Sequence, residues 1–461
     1  MSLDVLPREK SVELLGTYRS NLSVRDRELI AQELGDLPLA LSMAGSYLRE
    51  YQESYLGVPQ RYLQALHQVS PLEHASLLKE GSTYTTGHIR HVARTFALSY
   101  EQLNPSETID TTALQLLAHV ACFAPGEPIP RDLLRMTMGF EENEEDEDPF
   151  VKGLKRLDAL GLLTPQQEGA QQMHRLLVTF VQKRLTSTEA ATEAQTAVEA
   201  AVLARAREVN NTGYPAPLLR LQEHLRTVTA RASERGDVMA ADLSTAFGVH
   251  LSMVGAYQEA QGYLERALHL REQSLGPDHL NVALPLYTLA VLYGRQGKSA
   301  EAESLYKRAL PIWEQSLGPE HPQVAFSLNG LAILYKEQGK SAEAEPLCKR
   351  ALHILEQSLG SRHPQVALLL YNLASLYKAQ GKYAQAEQLY QRALSIYEET
   401  LGPDHPNVGR ILFYCASLSA RQWKFIKAIK LATKGLKILS NALDKAKTIH
   451  SQEQGHDKEE E

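Results

Sequence analysis

Cysteine is scarce in this chain of 461 residues, since only Cys122, Cys348 and Cys415 occur and none belongs to a CxxC pair. This spacing excludes a disulfide scaffold and a cysteine zinc site, and it is typical of a reducing compartment. Long apolar runs are also lacking: no stretch of about 18 apolar residues could form a membrane span. Residues 1–11 lack the apolar core of a signal peptide. We therefore expect a cytoplasmic protein with no membrane partner.

The chain has only a small excess of acidic residues as well, 55 against 48 basic ones, which gives a net charge of −7. The run 141–148 (EENEEDED) alone carries seven carboxylates. This balance gives no general attraction to nucleic acid, and the acidic run would repel phosphates. The run predicts a solvated loop. A calcium site or a basic partner is the alternative, although the glycine and spacing of an EF-hand loop are missing.

A phosphate-binding loop of the form GxxxxGK[ST] does not occur in the sequence. Such a loop holds nucleotide phosphates with backbone amides and a lysine. No Ser-His-Asp group or carboxylate pair stands at a usable spacing either. We therefore predict no enzymatic activity, no metal and no cofactor in this chain. ADP or ATP binding and ATPase activity are expected only if a phosphate-loop domain exists upstream of Met1.

A repeat of 42 residues dominates the second half. Leu-Gly pairs and a histidine both recur at this constant step. They are Gly276, Gly318, Gly360 and Gly402, and His279, His321, His363 and His405. One unit predicts helices from about 282 to 296 and from about 300 to 316, each ended by a glycine. Because each histidine belongs to a different unit, we expect helix caps and turns, not a shared metal site.

Small residues recur where the two helices of a unit must approach each other. In one unit they are Ala290, Ala302 and Ala309, and the same offsets return in the neighbouring units. These offsets resemble the tetratricopeptide repeat, and the longer unit with its LGPDHP connector resembles the kinesin light chain version. The resemblance covers about 240 to 443. It implies a right-handed α-α superhelix whose groove is lined by the first helix of each unit.

The groove of such a superhelix would bind a protein or peptide segment. Positions around the packing alanine of each first helix give seven candidates. They are Tyr287, Arg295, Asn329, Lys336, Tyr371, Asn372 and Lys378. Amide side chains both donate and accept, so they can pair with an extended peptide backbone. The cations favour an acidic or C-terminal carboxylate segment. The alternative is that these residues are ordinary exposed positions.

The first half carries a different signature, ELGDLPLALSMAGSYL at 33–48, followed by three predicted helices and a hairpin up to Met173-His174-Arg175. The Leu37-Pro38-Leu39-Ala40 string resembles the GLPLA motif of the NB-ARC class of STAND nucleotide switches. Met173 and His174 stand where that family has its Met-His-Asp motif, and Arg175 departs from it. The resemblance implies that Pro38 packs on a bound nucleotide and that His174 senses the diphosphate of ADP.

These patterns together predict an all-α-dominated chain in five parts. They are an NB-ARC-like helical subdomain (1–100), a winged-helix-like subdomain (101–187), a helical adaptor (188–239), a tetratricopeptide superhelix of about five units with a degenerate last one (240–445) and a disordered tail (446–461).

The preferred function is a non-catalytic scaffold, the sensor half of a STAND-type switch that binds a protein or peptide in the groove. One alternative is a stand-alone adaptor resembling kinesin light chains. Another is a signalling regulator that binds ADP or ATP, if an upstream phosphate-loop core is joined to it. The STAND resemblance also implies that oligomers can form.

Overall fold

The computed structural model describes residues 5–68, 86–140, 148–185, 188–421 and 423–456. Helices dominate these ranges, so the predicted all-α-dominated fold class is confirmed. The chain divides into two units, residues 1–208 with 221–232, and residues 209–220 with 233–461. Residues 141–147 lie outside the described ranges, so the loop expected there stays a prediction. Asp148, the last residue of that acidic run, caps the next helix and pairs with Arg135 at 2.6 Å.

The first unit begins with a set of five helices. They are α1 (Arg8–Tyr18), α2 (Val24–Glu33), α3 (Pro38–Glu50), α4 (Pro59–Gln68) and α5 (Thr86–Tyr100). Ser23 caps α2 by accepting a hydrogen bond from the Asp26 amide, as its place before the helix predicts. Proline suits the first turn of a helix because its missing N–H has no partner there, and Pro38 opens α3 in this way.

Four further helices and a hairpin follow in the same unit. They are α6 (Thr108–Val120), α7 (Arg131–Thr137), α8 (Pro149–Ala159), β1 (Thr164–Pro165), β2 (Gln171–Gln172) and α9 (Arg175–Leu185). The two strands pair antiparallel, and Ile129 adds a bridge to Gln171. Arg156 on α8 joins this set to the first one, because it binds Asp110 at 2.8 Å and Glu50 at 2.9 Å.

The predicted adaptor region is helical but differs in detail from the expectation. The segment 210–213 (NNTG) predicts a helix break, followed by a second helix over about 215–231. Helix α10 (Glu189–Thr212) instead continues through the asparagines and ends before Gly213, whose φ is +70°. The second predicted helix is in fact two, α11 (Ala216–Leu219) and α12 (Gln222–Arg235). A short turn separates them because residue 221 starts a new hydrogen-bonded run.

The second unit is a series of helix pairs. The first helices are α13 (Val238–Met253), α15 (Leu280–Arg295), α17 (Pro322–Glu337), α19 (Pro364–Ala379) and α21 (Pro406–Arg421). The second helices are α14 (Tyr257–Leu275), α16 (Ser299–Leu317), α18 (Ser341–Leu359), α20 (Tyr383–Leu401) and α22 (Phe425–His456). Each first helix packs against its own second helix, and consecutive first helices from α13 to α19 also contact one another. One large apolar cluster extends from Val282 to Ile438, and a second, smaller one contains Ala290, Ala302 and Tyr306.

The repeat arithmetic gives the helix ends to within two residues. Gly276, Gly318, Gly360 and Gly402 end the second helices with φ between +84° and +92°, a range that favours glycine. Nδ1 of His279 accepts a hydrogen bond from the Asn281 amide at 3.1 Å, and His321, His363 and His405 make the equivalent bond. The predicted capping role of these histidines is therefore confirmed.

The chain end differs from the disordered tail expected from 446 onward. Helix α22 extends to His456, so residues 446–456 are helical. Residues 457–461 lie outside the described ranges. The polar composition of this segment indicated poor core packing, but it did not exclude a helix that continues from a packed one.

Candidate peptide-binding groove

The packing alanines set the position of each first helix. Ala290, Ala302 and Ala309 are completely buried, and so are their counterparts in the next two units or nearly so. A methyl side chain lets two helix backbones approach closely, and the residues that flank it on the first helix are then directed to one side. The seven groove candidates lie on these first helices, on α15, α17 and α19.

The two candidate asparagines meet across neighbouring first helices. Nδ2 of Asn372 on α19 donates to Oδ1 of Asn329 on α17 at 2.9 Å, and both side chains are half-buried. One amide has two N–H donors and one oxygen with two lone pairs. A single mutual bond therefore leaves most of the capacity of the pair for a bound backbone.

The two candidate lysines repeat one contact at the 42-residue step. Nζ of Lys336 donates to Ser375 Oγ at 3.2 Å, and Nζ of Lys378 donates to Ser417 Oγ at 2.8 Å. Lys378 also lies over the ring of Tyr414, 5.4 Å from its centroid. Burial, followed by the nearby Arg421 cation, lowers the pKa of Lys378. Both ammonium groups therefore lie about two turns after the asparagine pair on the same first helices, and each donates to a serine hydroxyl.

The two candidate tyrosines contribute mainly to the core. The Tyr287 ring lies 5.8 Å from Tyr306 and 5.6 Å from Trp313, centroid to centroid. Tyr371 lies 5.1 Å from Tyr414 and 5.9 Å from Tyr390. Burial raises the pKa of Tyr287 to about 12. Both residues are half-buried, so they offer a ring edge, and not a whole face, to a ligand.

Arg295 is engaged within the protein. Its guanidinium donates to the Ser252 carbonyl at 2.8 Å, on the preceding first helix. The sequence offset placed Arg295 one residue away from the Lys336 and Lys378 register, where Gly294 stands. Its side chain accordingly contacts the preceding unit, whereas the two lysines contact the following one.

Sequence reasoning missed Phe413 on α21. This residue stands 42 positions after Tyr371 and 84 after Asn329, and its side chain is exposed by 47%. One more step along the same arithmetic would have found it. The row of equivalent first-helix positions thus reads Tyr287, Asn329, Tyr371 and Phe413, which makes the groove more apolar toward its last unit.

The two residues singled out by the nucleotide-switch resemblance lie in the first unit, each at the start of a helix. Pro38 is half-buried and follows a tight turn in which Asp36 has φ +56°. Arg8 pairs with the Asp36 carboxylate at 2.6 Å and lowers its pKa. His174 precedes α9, and its Nδ1 accepts from the Leu176 amide at 3.2 Å. Both residues therefore have a local structural role as well.

The sequence profile of the tetratricopeptide repeat matches four overlapping stretches, 240–315, 286–357, 336–399 and 365–441. Residues 240–441 are tetratricopeptide repeats. No curated protein matches the chain. The tetratricopeptide units found by this profile are the ones that carry the candidate groove. Tetratricopeptide repeats are protein-interaction scaffolds, and a repeat array offers an extended surface more readily than a closed catalytic pocket.

Three solved structures are similar to the chain. A Signal Transduction ATPase with Numerous Domains (STAND) with a tetratricopeptide repeat sensor, from Pyrococcus horikoshii, matches 96% of this chain at 15% identity and a TM-score of 0.52. This chain spans 62% of that protein, and at this identity the likeness concerns the fold alone. BtubC (BKLC) from P. vanneervenii is 24% identical over 50% of this chain and 90% of its own, with a TM-score of 0.40. The nearly identical, kinesin-light-chain-type repeats from Podosopora anserina are 25% identical over 43% of this chain and 94% of their own, with a TM-score of 0.36.

The described residues offer neither a metal site nor a membrane span. Among the residues that the structure describes, no group of three or more His, Cys, Asp or Glu side chains could hold a metal ion. In the same ranges, no helix is both long and apolar enough to cross a membrane.

Proposed function

We propose that this chain is the sensor half of a STAND-type switch and that its tetratricopeptide groove binds an extended peptide segment rich in carboxylates. The observation that carries the binding proposal is a group of first-helix side chains, in which the Asn329–Asn372 pair is followed about two helical turns later by Lys336 on α17 and Lys378 on α19. Its residues come from two consecutive units, and the two lysines stand one 42-residue step apart.

The chemistry of this group suits one class of ligand. An extended backbone presents N–H and C=O groups alternately, and the asparagine pair can answer both. The lysine ammonium groups donate to serine hydroxyls, and Lys378 also lies over the Tyr414 ring. An incoming carboxylate would displace the hydroxyls with a stronger, charge-assisted bond. The half-buried tyrosine edges and Phe413 would then contact apolar side chains between the acidic ones.

The double change Asn329→Ala with Asn372→Ala tests the groove. We expect the affinity of the full-length chain for arrayed acidic peptides to fall by at least about tenfold, since two half-buried amides no longer contact the peptide backbone. The readout is fluorescence anisotropy of the labelled peptides, each with a free and with an amidated C-terminus. Gln273→Ala with Gln391→Ala, on the exposed sides of α14 and α20, is the matched control. Unchanged affinity in the asparagine variant would remove the groove assignment.

The switch part of the proposal has separate support. Three helices, a short hairpin and α9 follow one another in the order of a winged helix, with the edge bridge from Ile129. The likeness to the STAND protein from Pyrococcus horikoshii spans nearly the whole chain. In this proposal, partner binding releases the repeats from an upstream nucleotide core and permits exchange of ADP for ATP. Pro38 and His174 would then contact the nucleotide.

The nucleotide contacts can be tested on the purified chain. Because the sequence contains no phosphate loop, we expect no ATP turnover and no saturable binding of fluorescent ADP. ATP turnover that His174→Ala abolishes, while the exposed control His269→Ala leaves it intact, would favour the nucleotide-binding regulator over the scaffold.

The adaptor alternative rests on the 42-residue unit with its LGPDHP connector. It requires only the repeats. In that case residues 1–208 would serve no nucleotide-linked role, and changes at Pro38 or His174 would leave every partner affinity unaltered in the full-length protein, with or without an added phosphate-loop domain.

A further inference from the structure

The last helix of the repeat array exposes an apolar face. Ile426, Ile429 and Leu436 are exposed by 75%, 65% and 55%. Their spacing places them on one side of α22. Trp423 and Phe425 stand at the start of this helix, exposed by 81% and 54%, with their rings 5.7 Å apart. We call these five residues the α22 face. Solvation of so many large side chains on one surface is unfavourable unless something covers it.

The inner-unit position equivalent to Ile429 contacts the next unit, whereas Ala384, the equivalent of Ile426, is exposed. Ile429 stands one 42-residue step after Glu387, which binds Lys427 of the following unit at 2.8 Å. Glu345 and Glu303, further steps back, accept from Tyr377 and Tyr335 of the units that follow them. The leucines equivalent to Leu436 are half-buried against the core. They are Leu310, Leu352 and Leu394. The part of the α22 face around Ile429 therefore corresponds to the surface on which an inner unit receives the next unit.

The residues of this face differ from those of a solvated terminal repeat. Terminal units normally carry a polar outer side, yet here isoleucine replaces the repeated glutamate at 429. Trp423 replaces the glycine found at 297, 339 and 381, and it keeps a positive φ of 62°. A tryptophan in that backbone region is strained. A glutamate at 429 would be more soluble than the isoleucine, and a glycine at 423 would adopt the positive φ without strain.

Cations flank the apolar face on one side. Lys430 lies one turn after Ile426 on α22, and Lys437 directly follows Leu436. Lys427 and Lys434, on the other side, bind Glu387 and Glu398 of the preceding unit. Among the described side chains, no carboxylate pairs with Lys430 or Lys437. A partner with carboxylates along one flank would meet this edge with opposite charge.

We propose that the α22 face binds an amphipathic helix of a partner protein, apolar on its contact side and acidic on one flank, which continues the helix stack. This inference is independent of the groove ligand. A second copy of this chain is disfavoured because Lys430 and Lys437 of each copy would bring like charges together. The segment 444–461 contains Ile449 as its single large apolar residue, so its composition does not supply a covering helix.

An anionic lipid surface would also meet tryptophan and lysine. The partner helix is favoured because three inner units place a helix of the chain itself on the same face. The two readings differ in the partner that binds, and the experiment below separates them.

The test uses the full-length chain and two synthetic helical peptides with leucine along one side. One peptide has glutamate flanks, and the other has lysine flanks. We expect the glutamate peptide to bind saturably and to shift Trp423 emission to the blue, while the buried Trp313 gives a constant background. Ile429→Glu, which restores the inner-repeat residue, should weaken binding at least about tenfold. Lys430→Glu with Lys437→Glu should make the chain bind the lysine peptide more tightly than the glutamate peptide.

Val254→Glu, at an exposed site of 38% in the turn after α13, is the matched control and should bind as the parent does. Circular dichroism checks that each variant is folded. The proposal is overturned if the glutamate peptide does not bind, or if Ile429→Glu binds it unchanged. It is equally overturned if the face instead mediates self-association in sedimentation, or binding to phosphatidylglycerol vesicles, and Ile429→Glu abolishes that behaviour.

Discussion

At the scale of single residues, buried neutral histidines link stability to pH. His250 on α13 is completely buried, and burial lowers its pKa to about 4. His224 on α12 is also buried: its Nδ1 accepts from the Ala124 amide at 3.2 Å, its Nε2 donates to the Pro128 carbonyl at 3.0 Å, and burial lowers its pKa. Because the charged form is favoured only after unfolding, their contribution is full above the unfolded pKa and is lost as pH falls through the folded one.

A change at His250 measures this linkage. From an unfolded pKa of about 6.5 to a folded one near 4, acidification from pH 7 to pH 5 should cost about 2 kcal/mol of unfolding free energy for this residue. His250→Leu should remove that part of the pH dependence. Urea unfolding at both pH values, followed by circular dichroism, gives the comparison, with the exposed His269→Leu as control. An unchanged pH dependence in His250→Leu would show that this histidine is not held neutral.

At the same scale, the sequence predicted the roles of repeated residues better than those of unique ones. The four connector histidines were predicted as caps because each returned at one step, and each caps a helix. The sequence assigned Arg295 to the groove from its offset alone. Its contact with the Ser252 carbonyl depends on how closely α15 packs on α13, which a single sequence does not reveal. The 42-residue step from Tyr371 predicts Phe413 as a further groove position, but the sequence of the last repeat departs from the others and obscured this equivalence.

At the scale of helices, the packing alanines define how closely two helices of one unit approach. Ala393 on α20 is completely buried, whereas Ala384 on the same helix is exposed. Ala393→Leu should lower the free energy of unfolding by about 2–3 kcal/mol, because added methylenes in a packed core force the helices apart. Ala384→Leu should change it by less than about 0.5 kcal/mol. Chemical denaturation of both variants gives the comparison, and equal effects would contradict the helix-pair packing.

Helix ends in the repeats were predictable for the same physical reason. Glycine with positive φ ends α14, α16, α18 and α20. A proline or a histidine cap begins the next first helix, so the local sequence predicts both boundaries. The region 188–239 has no such signals in regular order. There α10 runs on to Thr212, and a turn splits the following helix in two. At the chain end, α22 continues to His456 because a helix already packed on α21 can extend into polar sequence at little cost.

At the scale of the whole molecule, ion pairs join the second helices of neighbouring repeats. Arg308, Arg350 and Arg392 bind Glu272, Glu314 and Glu356 of the preceding second helix at 2.6 to 2.9 Å, again at the 42-residue step. Such exposed pairs contribute little individually, so the stability of the repeats rests on the shared apolar core. The all-α class and the repeats were predictable because their signals recur. The open α22 face was not, since exposure follows from which neighbour is present.

The central claim is that first helices of the tetratricopeptide repeats form the binding surface. Hydrogen–deuterium exchange of the full-length chain, with and without a bound acidic peptide from the array, tests it most directly. The account predicts slower exchange in α15, α17 and α19, largest around residues 329–336 and 371–378, and loss of this protection in Asn329→Ala with Asn372→Ala. Protection confined to the second helices α16, α18 and α20, or to residues 1–208, would contradict the account.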